Sequence, residues 1–359
     1  MFSLFKRQDW WLNGAVFALL GLSLLMLSSI EKDLLTQQLI WTILGVILIF
    51  LFAQIDWRAL ASYRWIIFGI YVFSLLLLIT TYFFAPVIRH TRSWLVLGPF
   101  QFQVSELVKV AIIIFFAYYF SKRHIGIAHF SNIFRSFIYV AIPAAFVFLQ
   151  PDMGTMIVLL GLWVGFLLVS GLRLKHIAIG LLLIVAVIGV SWNTVLQDYQ
   201  KERVIGLFQP NYDPLGINYS TIQSKIAIGS AGFFGKGYQQ GTQVQLGFLP
   251  EAGTDFIFSA FIEEWGLFGG LIILGLFFFM IARIIQIGLR AENNFSRFIC
   301  LGTALMFLIQ FVINVGSATG LLPVIGLTFP FFSYGGSSIL VNSMLAGIVQ
   351  STDSHTALS

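Results

Sequence analysis

The sequence predicts an all-α polytopic integral membrane protein with about ten transmembrane helices and a long extracytoplasmic loop between helices 7 and 8. Hydrophobic residues make up 58% of the 359 positions and charged residues only 10%, whereas globular chains carry about 25% charged residues. Apolar stretches of about 20 residues, each long enough to cross a bilayer, recur along the whole chain. One membrane domain, 1–359, is therefore predicted, with spans at 11–30, 34–54, 65–84, 104–120, 136–149, 153–170, 174–192, 256–282, 297–318 and 333–350 and an outer loop at 193–254.

The distribution of positive charge predicts how these spans are oriented. The chain starts MFSLFKRQDWW, with a basic pair before an apolar run and no small-residue cleavage site, which indicates an uncleaved first helix. If the N-terminus is cytoplasmic, most Lys and Arg residues fall in cytoplasmic segments, as the positive-inside rule requires. Both termini are then cytoplasmic, and the segments 85–103, 150–152 and 193–254 are extracytoplasmic. The pI of about 9.3 reflects Lys and Arg residues that are concentrated in the cytoplasmic segments. Nucleic-acid binding is therefore not expected.

A carboxylate stands where the outer loop meets the eighth span, in the stretch LPEAGTDFIFSAFIEEWG (249–266). Asp255 either caps the helix that follows or performs chemistry at the membrane surface. Glu263 and Glu264 come later in the same span, where acids are costly and are kept for pairing or for function. They are interpreted as a buried pair or as hydrogen-bond partners between helices, and Glu264 is also a candidate cavity residue.

Charged residues also occur at the outer ends of the fourth and sixth spans. Glu106 and Lys109 share one helix face at i, i+3 spacing. They form either a structural ion pair or a site in which Lys109 binds a buried anion while Glu106 fixes its position. Asp152 follows a proline. It either caps the sixth span or faces a cavity shared with the other candidate site residues.

The long loop and the segment before the last span contain further candidates. Arg203 has a planar, permanently charged group suited to a diphosphate or carboxylate, although a solvated surface arginine is an equal alternative. Lys236 lies in a glycine-rich turn that resembles a phosphate-binding loop only loosely. The segment 319–338 contains prolines, glycines and a run of serines, and such backbone is tolerated at membrane depth only where protein or a water-filled cavity covers it. Ser333 and Ser337 are therefore candidate cavity residues.

Several kinds of site are not expected. The histidines show no metal-ligand spacing and no Ser-His-Asp arrangement is present. Cys300 is the single cysteine, which excludes an intramolecular disulfide and a thiolate cluster. The sequence does not decide whether a metal is required.

Five ordered segments resemble signature stretches of the SEDS family (shape, elongation, division and sporulation), and with the predicted spans they cover essentially the whole chain. The N-terminus, with its DWW start at Asp9, is more similar to the elongation (RodA) branch than to the division (FtsW) branch. The segments are GPFQFQVSELVK (98–109), QPDMGT (150–155), GSAGFFGKGYQQGTQ (229–243), FLPEAGTDFIFSAFIEEWG (248–266) and GLLPVIGLTFPFFSYGGSS (320–338).

The resemblance implies a glycosyltransferase of the bacterial cytoplasmic (inner) membrane that polymerises lipid II into peptidoglycan on the outer face. It also implies a class B penicillin-binding protein and the elongation machinery as partners. The family's essential acid corresponds to Asp255, and its Glu/Lys pair corresponds to Glu106 and Lys109. Gly253 stands where members commonly have a histidine.

The chemistry that the resemblance implies is consistent with these residues. An α-linked donor and a β-1,4 product require inversion, and a carboxylate such as Asp255 is suited to take the proton from the acceptor hydroxyl. The departing diphosphate needs positive charge, from Arg203, Lys109 or a divalent cation (Mg²⁺ or Mn²⁺), rather than a proton donor. A flippase for lipid-linked precursors and a scaffold for a partner are the alternatives. The polar segments cluster on the outer side, which favours the enzyme.

Overall fold

The computed structural model describes residues 8–88, 91–98, 100–123, 130–171, 189, 198–209 and 213–356. In this part of the chain the main elements are helices, together with one two-stranded sheet. The helices are α1 (Trp10–Ile30), α2 (Lys32–Ala53), α3 (Trp57–Ser62), α4 (Arg64–Phe84), α5 (Val104–Arg123), α6 (Phe130–Leu149), α7 (Met153–Val169), α8 (Asp198–Phe208), α9 (Tyr219–Ser230), α10 (Thr242–Gln245), α11 (Ile257–Arg290), α12 (Asn294–Thr319) and α13 (Gly336–Thr356).

The predicted all-α polytopic membrane class is confirmed. Seven described helices (α1, α2, α4, α5, α6, α11 and α12) are long and apolar enough to cross a membrane, and α7 is a shorter apolar helix of 17 residues. Helix α13 covers most of the predicted span 333–350, and the predicted span 174–192 lies outside the described residues. Several helices extend beyond the apolar stretch that predicted them, because apolar composition marks only the hydrocarbon depth.

Helix α5 lies in the interior of the bundle. In its most apolar 18 residues, about 83% are buried, compared with 17% for the same measure in α2. Helix α5 packs against α4, α7 and α12. The side chains of its first turn are therefore enclosed by protein. A charged residue in that turn needs a protein partner.

The predicted cytoplasmic ends of three helices are held together by polar contacts. The Asp9 carboxylate caps α1 by accepting the backbone N–H of Leu12 and also pairs with Arg283 of α11. The Gln350 amide of α13 bonds to both the N–H and the carbonyl of Asp9. These contacts fix α1, α11 and α13 at the end opposite the predicted site.

An antiparallel β-hairpin precedes α5, and the all-α prediction did not include it. Strand β1 (Trp94–Leu97) pairs with β2 (Phe100–Gln103) in a register that places Trp94 opposite Gln103. The strands are only four residues each, too short for an alternating pattern to stand out in the sequence. The hairpin places Gln103 at the predicted outer end of the bundle.

Helix α11 is interrupted at Gly266, whose φ of 72° and ψ of −176° are not helical. The residues 232–237 of the loop, here called the clasp, cross the helix at this point. The N–H groups of Lys236 and Gly237 donate to the carbonyls of residues 263 and 264, at 3.0 Å each. The N–H groups of residues 267 and 268 donate to the carbonyls of residues 232 and 233. The clasp thus satisfies backbone groups that the break frees, as a discontinuous membrane helix requires.

Candidate active site

Asp255 lies in a turn directly before α11, and its side chain is half-buried. The three carbonyls of residues 253–255 each accept a hydrogen bond from a different residue. Tyr334 donates its N–H at 2.8 Å, Ser333 its hydroxyl at 2.7 Å, and Asn314 its amide at 3.1 Å. The backbone that carries the Asp255 carboxylate is therefore fixed by α12 and by the segment before α13.

The structure does not support the alternative that Asp255 is the helix cap. The N-cap position of α11 is Phe256, which makes no side-chain cap bond. The neighbouring Thr254 donates its hydroxyl to the carboxylate of Glu251 at 2.7 Å rather than capping the helix. Asp255 therefore lies one residue before the N-cap position of α11.

Gly253, where the family commonly has a histidine, is closely packed. A Cβ atom at this position would lie 3.1 Å from Leu27 and 3.3 Å from Leu34, which belong to α1 and α2. A larger side chain requires both leucines to move. The departure from the family pattern is thus matched by leucines that occupy the space.

Ser333 ties the segment before α13 to the turn that contains Asp255. Its hydroxyl donates to the Thr254 carbonyl and accepts the N–H of Phe329 at 2.9 Å, and its own carbonyl accepts the amide of Gln38 at 3.2 Å. Ser333 is 2% exposed and Gln38 is fully buried, so these contacts are shielded from water. The polar side chain holds irregular backbone in place inside the bundle.

Ser337, Gln103 and Asp152 form a second chain of contacts. Ser337 accepts the N–H of Gln103 at 2.8 Å, and the Gln103 amide donates to the Asp152 carboxylate at 2.9 Å. The same carboxylate accepts the hydroxyl of Ser105 at 2.7 Å and caps α7 through the N–H of Thr155. Asp152 therefore caps its helix and also joins α5, α7 and the hairpin.

Glu106 and Lys109 form an ion pair of 2.5 Å in the first turns of α5, and the Lys109 side chain is fully buried. The second carboxylate oxygen of Glu106 is buried and has no hydrogen-bond partner in the described part of the chain. Burying both charges is tolerated because each neutralises the other. The geometry is compatible with both predicted roles, the structural pair and the anion-binding lysine held by Glu106.

Replacing Lys109 by methionine is expected to lower the free energy of unfolding by about 3 kcal/mol, because the Glu106 carboxylate would remain buried without its partner. The melting temperature of the purified protein in detergent measures the effect. Lys201→Met is the matched control, since Lys201 pairs with Asp198 at the same i, i+3 spacing but Asp198 is 94% exposed. A loss below about 1 kcal/mol is expected for the control. Equal shifts in the two variants would show that the buried pair contributes nothing special.

Lys236 has a partner rather than a free charge. Its ammonium group lies 2.6 Å from Glu263, which is fully buried, and 2.7 Å from the hydroxyl of Thr242. Glu263 also accepts the N–H groups of Gln243 and Val244 at the start of α10. Lys236 and Glu263 thus connect the clasp and α10, which precede the turn that contains Asp255, to α11, which follows it.

Glu264 contacts α1 and α10 rather than the clasp lysine that pairs with Glu263. One of its oxygens accepts the hydroxyl of Ser29 in α1 and the amide of Gln245 in α10. The other oxygen is buried without a hydrogen-bond partner among the described residues. Glu264 therefore anchors the C-terminal end of α1 to the first half of α11, the interhelical role that the sequence suggested.

The eight predicted site residues other than Arg203 fall into four groups. Asp255 and Ser333 meet in one turn, and Ser337 and Asp152 are connected to each other through Gln103. Lys236 and Glu264 lie around the clasp. Glu106 and Lys109 occupy the start of α5. Arg203 belongs to α8, but its side chain lies outside the described residues.

Two supporting residues were not predicted. Asn314 is an asparagine in the apolar span 297–318, and its amide bonds the Asp255 carbonyl and also the Leu327 carbonyl at 2.8 Å. A polar residue within a membrane helix is itself a signal of function or of interhelical bonding. Gln103 gave no such signal, because its partners are distant in sequence.

The residues that the structure describes contain no group of three or more His, Cys, Asp or Glu side chains able to hold a metal ion. The acids near the start of α11 are instead occupied by protein contacts: Glu263 by Lys236 and Glu251 by Thr254. These residues do not form a divalent-cation site on their own.

Known proteins similar to this chain cover most of its length. The *Escherichia coli* K12 peptidoglycan glycosyltransferase MrdB is 38% identical over 314 residues, 87% of this chain and 83% of that protein. The stage V sporulation protein E of *Bacillus subtilis* is 35% identical over 318 residues, 87% of this chain and 85% of that protein.

Two solved structures share the fold. A chain from the work described as "Structural coordination of polymerization and crosslinking by a peptidoglycan synthase complex" has a TM-score of 0.84 and 33% identity, covering 98% of this chain and 99% of its own. The *Thermus thermophilus* rod shape determining protein RodA has a TM-score of 0.72 and 29% identity, covering 96% of both chains. The model of the FtsW/RodA/SpoVE cell cycle protein family matches residues 11–358. With this match over nearly its whole length, the chain belongs to the FtsW/RodA/SpoVE family, the SEDS family that its motifs resemble.

Proposed function

We propose that this protein is a peptidoglycan glycosyltransferase that polymerises lipid II into β-1,4 glycan strands on the outer face of the bacterial cytoplasmic membrane during cell elongation. The observation that carries the proposal is the half-buried Asp255 carboxylate, held on a turn whose three carbonyls are fixed by hydrogen bonds. A fixed carboxylate at the start of a membrane helix suits proton transfer from a lipid-linked sugar. The similar *E. coli* protein is named for this activity.

In the proposed reaction Asp255 is the general base. It takes the proton from the 4-hydroxyl of the acceptor GlcNAc while that oxygen attacks C1 of the donor MurNAc. The bond between C1 and the phosphate oxygen breaks, and undecaprenyl diphosphate leaves with the bonding electrons. Attack on the face opposite the leaving group converts the α linkage to β. A diphosphate is a stable anion, so the departing oxygen needs positive charge more than a proton.

The other predicted site residues support this reaction in the proposal. Lys109, held by Glu106, and Arg203 are the candidate cations for the diphosphate. Asp152, Ser333 and Ser337 keep the surrounding backbone in place, and Lys236 and Glu264 brace the broken helix that follows Asp255. This division of roles is supported by the contacts of the described side chains.

The proposal includes orientation and partners. The chain is one multi-pass domain, 1–359, with both termini in the cytoplasm and the site on the extracytoplasmic side, because the basic residues concentrate in the inner loops. A class B penicillin-binding protein and the elongation machinery are the proposed partners. The similar chain with a TM-score of 0.84 comes from work on a peptidoglycan synthase complex.

One observation favours a second candidate, a flippase for lipid-linked precursors. A discontinuous helix such as α11, with a polar loop inserted at the break, is typical of transporters. The two functions make different predictions for the fate of lipid II.

Lipid II polymerisation by the purified protein with its penicillin-binding partner tests the proposal. Glycan strands are expected, and a muramidase specific for β-1,4 bonds should digest them. If no strands form while labelled lipid II crosses the bilayer of vesicles that contain the protein, the flippase is correct and the glycosyltransferase is not.

A further inference from the structure

The outer loop borders an open cavity of about 480 Å³, here called the loop cavity. Its walls are the second half of α8, the turn and first half of α9 at 213–225, and the segment 320–324 that follows α12. The volume falls in the range of small-molecule sites, roughly 300–1,000 Å³. None of the predicted site residues whose side chains are described lines it, so it is a place distinct from the turn of Asp255.

Charged groups of both signs line the loop cavity. Lys225 is exposed, and in the described part of the chain its ammonium makes no hydrogen bond or ion pair. Glu202 on the α8 wall likewise has no described partner. Asp213 differs, because its two oxygens accept the N–H groups of Gly216 and Ile217 and shape the turn. Among the described side chains that line the cavity, Lys225 and Glu202 are therefore the charged groups left to meet a ligand.

The position of Lys225 is set by close packing. Its aliphatic stem crosses Gly320, where a Cβ atom would lie 2.1 Å from the Lys225 Cε. Gly320 has a φ of 72° and ends α12 in the left-handed conformation that glycine adopts most easily. A side chain at 320 would displace the lysine, so the glycine keeps its ammonium at the cavity.

Helix α9 connects the loop cavity to the site. The Ser224 hydroxyl donates to the carbonyl of Ala318 and accepts the hydroxyl of Ser259, both at 2.6 Å. Ser259 is about one helical turn beyond Asp255, and Lys225 is the next residue after Ser224. Helix α9 therefore contributes Lys225 to the loop cavity and, through Ser224, contacts the helix that begins at the site.

The charges in the loop cavity favour the peptide of a lipid-linked substrate over its diphosphate as the bound group. A diphosphate carries only negative charge and would be repelled by Glu202 and Asp213. A peptide with a carboxylate and an ammonium group satisfies both Lys225 and Glu202.

We infer that the loop cavity binds the peptide portion of the lipid-linked substrate, with a peptide carboxylate against Lys225 and a peptide ammonium against Glu202. This inference rests on the proposed function and adds a subsite to it. It assigns to α8, α9 and Gly320 the recognition of a group that takes no part in the bond being formed. Such binding lowers KM and leaves kcat unchanged.

The test compares wild type and Lys225→Ala, each with the penicillin-binding partner, on three substrates. These are lipid II, lipid II whose C-terminal carboxylate is amidated, and the lipid-linked disaccharide without peptide. The variant and the amidation are each expected to raise KM about 3- to 10-fold, the loss of one exposed charged contact. Together they should raise it little further, because both remove the same contact. On the peptide-free substrate, variant and wild type should be equal, and Lys201→Ala should match wild type throughout.

Several results would overturn the inference. They are an unchanged KM in Lys225→Ala, fully additive effects of the two changes, and an equal loss on the peptide-free substrate, which would indicate a defect in folding or partner binding. Calorimetry with the soluble pentapeptide separates this inference from the proposed function. If wild type polymerises nothing but binds the peptide in a Lys225-dependent manner, the subsite stands and the glycosyltransferase fails. If it polymerises lipid II and Lys225→Ala leaves peptide binding unchanged, only the subsite fails.

Discussion

Replacing Asp255 by asparagine is expected to abolish glycan polymerisation, with a loss in kcat on the order of 100- to 10,000-fold. Asparagine has nearly the same shape but cannot accept a proton from the acceptor hydroxyl. The contacts that fix the turn go to the carbonyls of residues 253–255, so the substitution leaves them intact. Asp255→Ala should show a similar loss. Strand formation from lipid II by the purified complex measures both.

The matched control for Asp255 is Glu251→Gln in the same turn. Glu251 is an exposed carboxylate that accepts the hydroxyl of Thr254. An amide oxygen keeps that hydrogen bond, so activity near that of wild type is expected. The melting temperature and copurification with the partner should be unchanged in all three variants. Polymerisation at the wild-type rate by a folded Asp255→Asn protein would remove the general base from the proposal.

The membrane helices were predictable because the bilayer leaves little choice. Backbone groups in hydrocarbon must be bonded within the segment, so an apolar stretch such as 34–54 forms a helix whatever its neighbours are. The position of Asp255 at the start of a span was predictable for the same reason. Apolar composition marks the depth of the membrane, and a polar residue at its edge marks the interface.

Features made by contacts distant in sequence were not predictable. The span 256–282 was predicted as one helix, because a single glycine at 266 within an otherwise helical pattern does not announce a break. The break depends on the clasp, whose backbone bonds to residues 263, 264, 267 and 268 form only in the folded protein.

The same limit applies to the candidate site. Lys236 was expected to support substrate binding, but the structure pairs it with Glu263, because a buried carboxylate requires a counter-charge. The contact of Ser337 with Gln103 joins residues 234 positions apart, which residue types and spacing cannot reveal. Sequence patterns thus identified the candidate carboxylate and Ser333, but not Asn314, which also fixes its turn.

Replacing Gly266 by alanine is expected to lower the free energy of unfolding by about 5 kcal/mol, although alanine usually favours helices. The φ and ψ of Gly266 lie in a region that is essentially restricted to glycine, which costs about 1–3 kcal/mol for another residue. The new Cβ would also lie 2.2 Å from the carbonyl oxygen of Phe233 and 2.3 Å from the nitrogen of Gly235. These are backbone atoms of the clasp. The clasp must therefore move and lose hydrogen bonds worth about 1 kcal/mol each.

Gly275→Ala is the matched control, because Gly275 lies in the same helix and a Cβ there meets no atom within 4 Å. Its expected effect is a stabilisation of up to about 1 kcal/mol, from the better helix propensity of alanine. Melting temperatures of the two variants in the same detergent make the comparison. Because the clasp also carries Lys236, which pairs with Glu263, Gly266→Ala should lower polymerisation by the molecules that remain folded. Equal melting temperatures for the two variants would mean that α11 is continuous and that the clasp does not hold the helix on which the Asp255 turn rests.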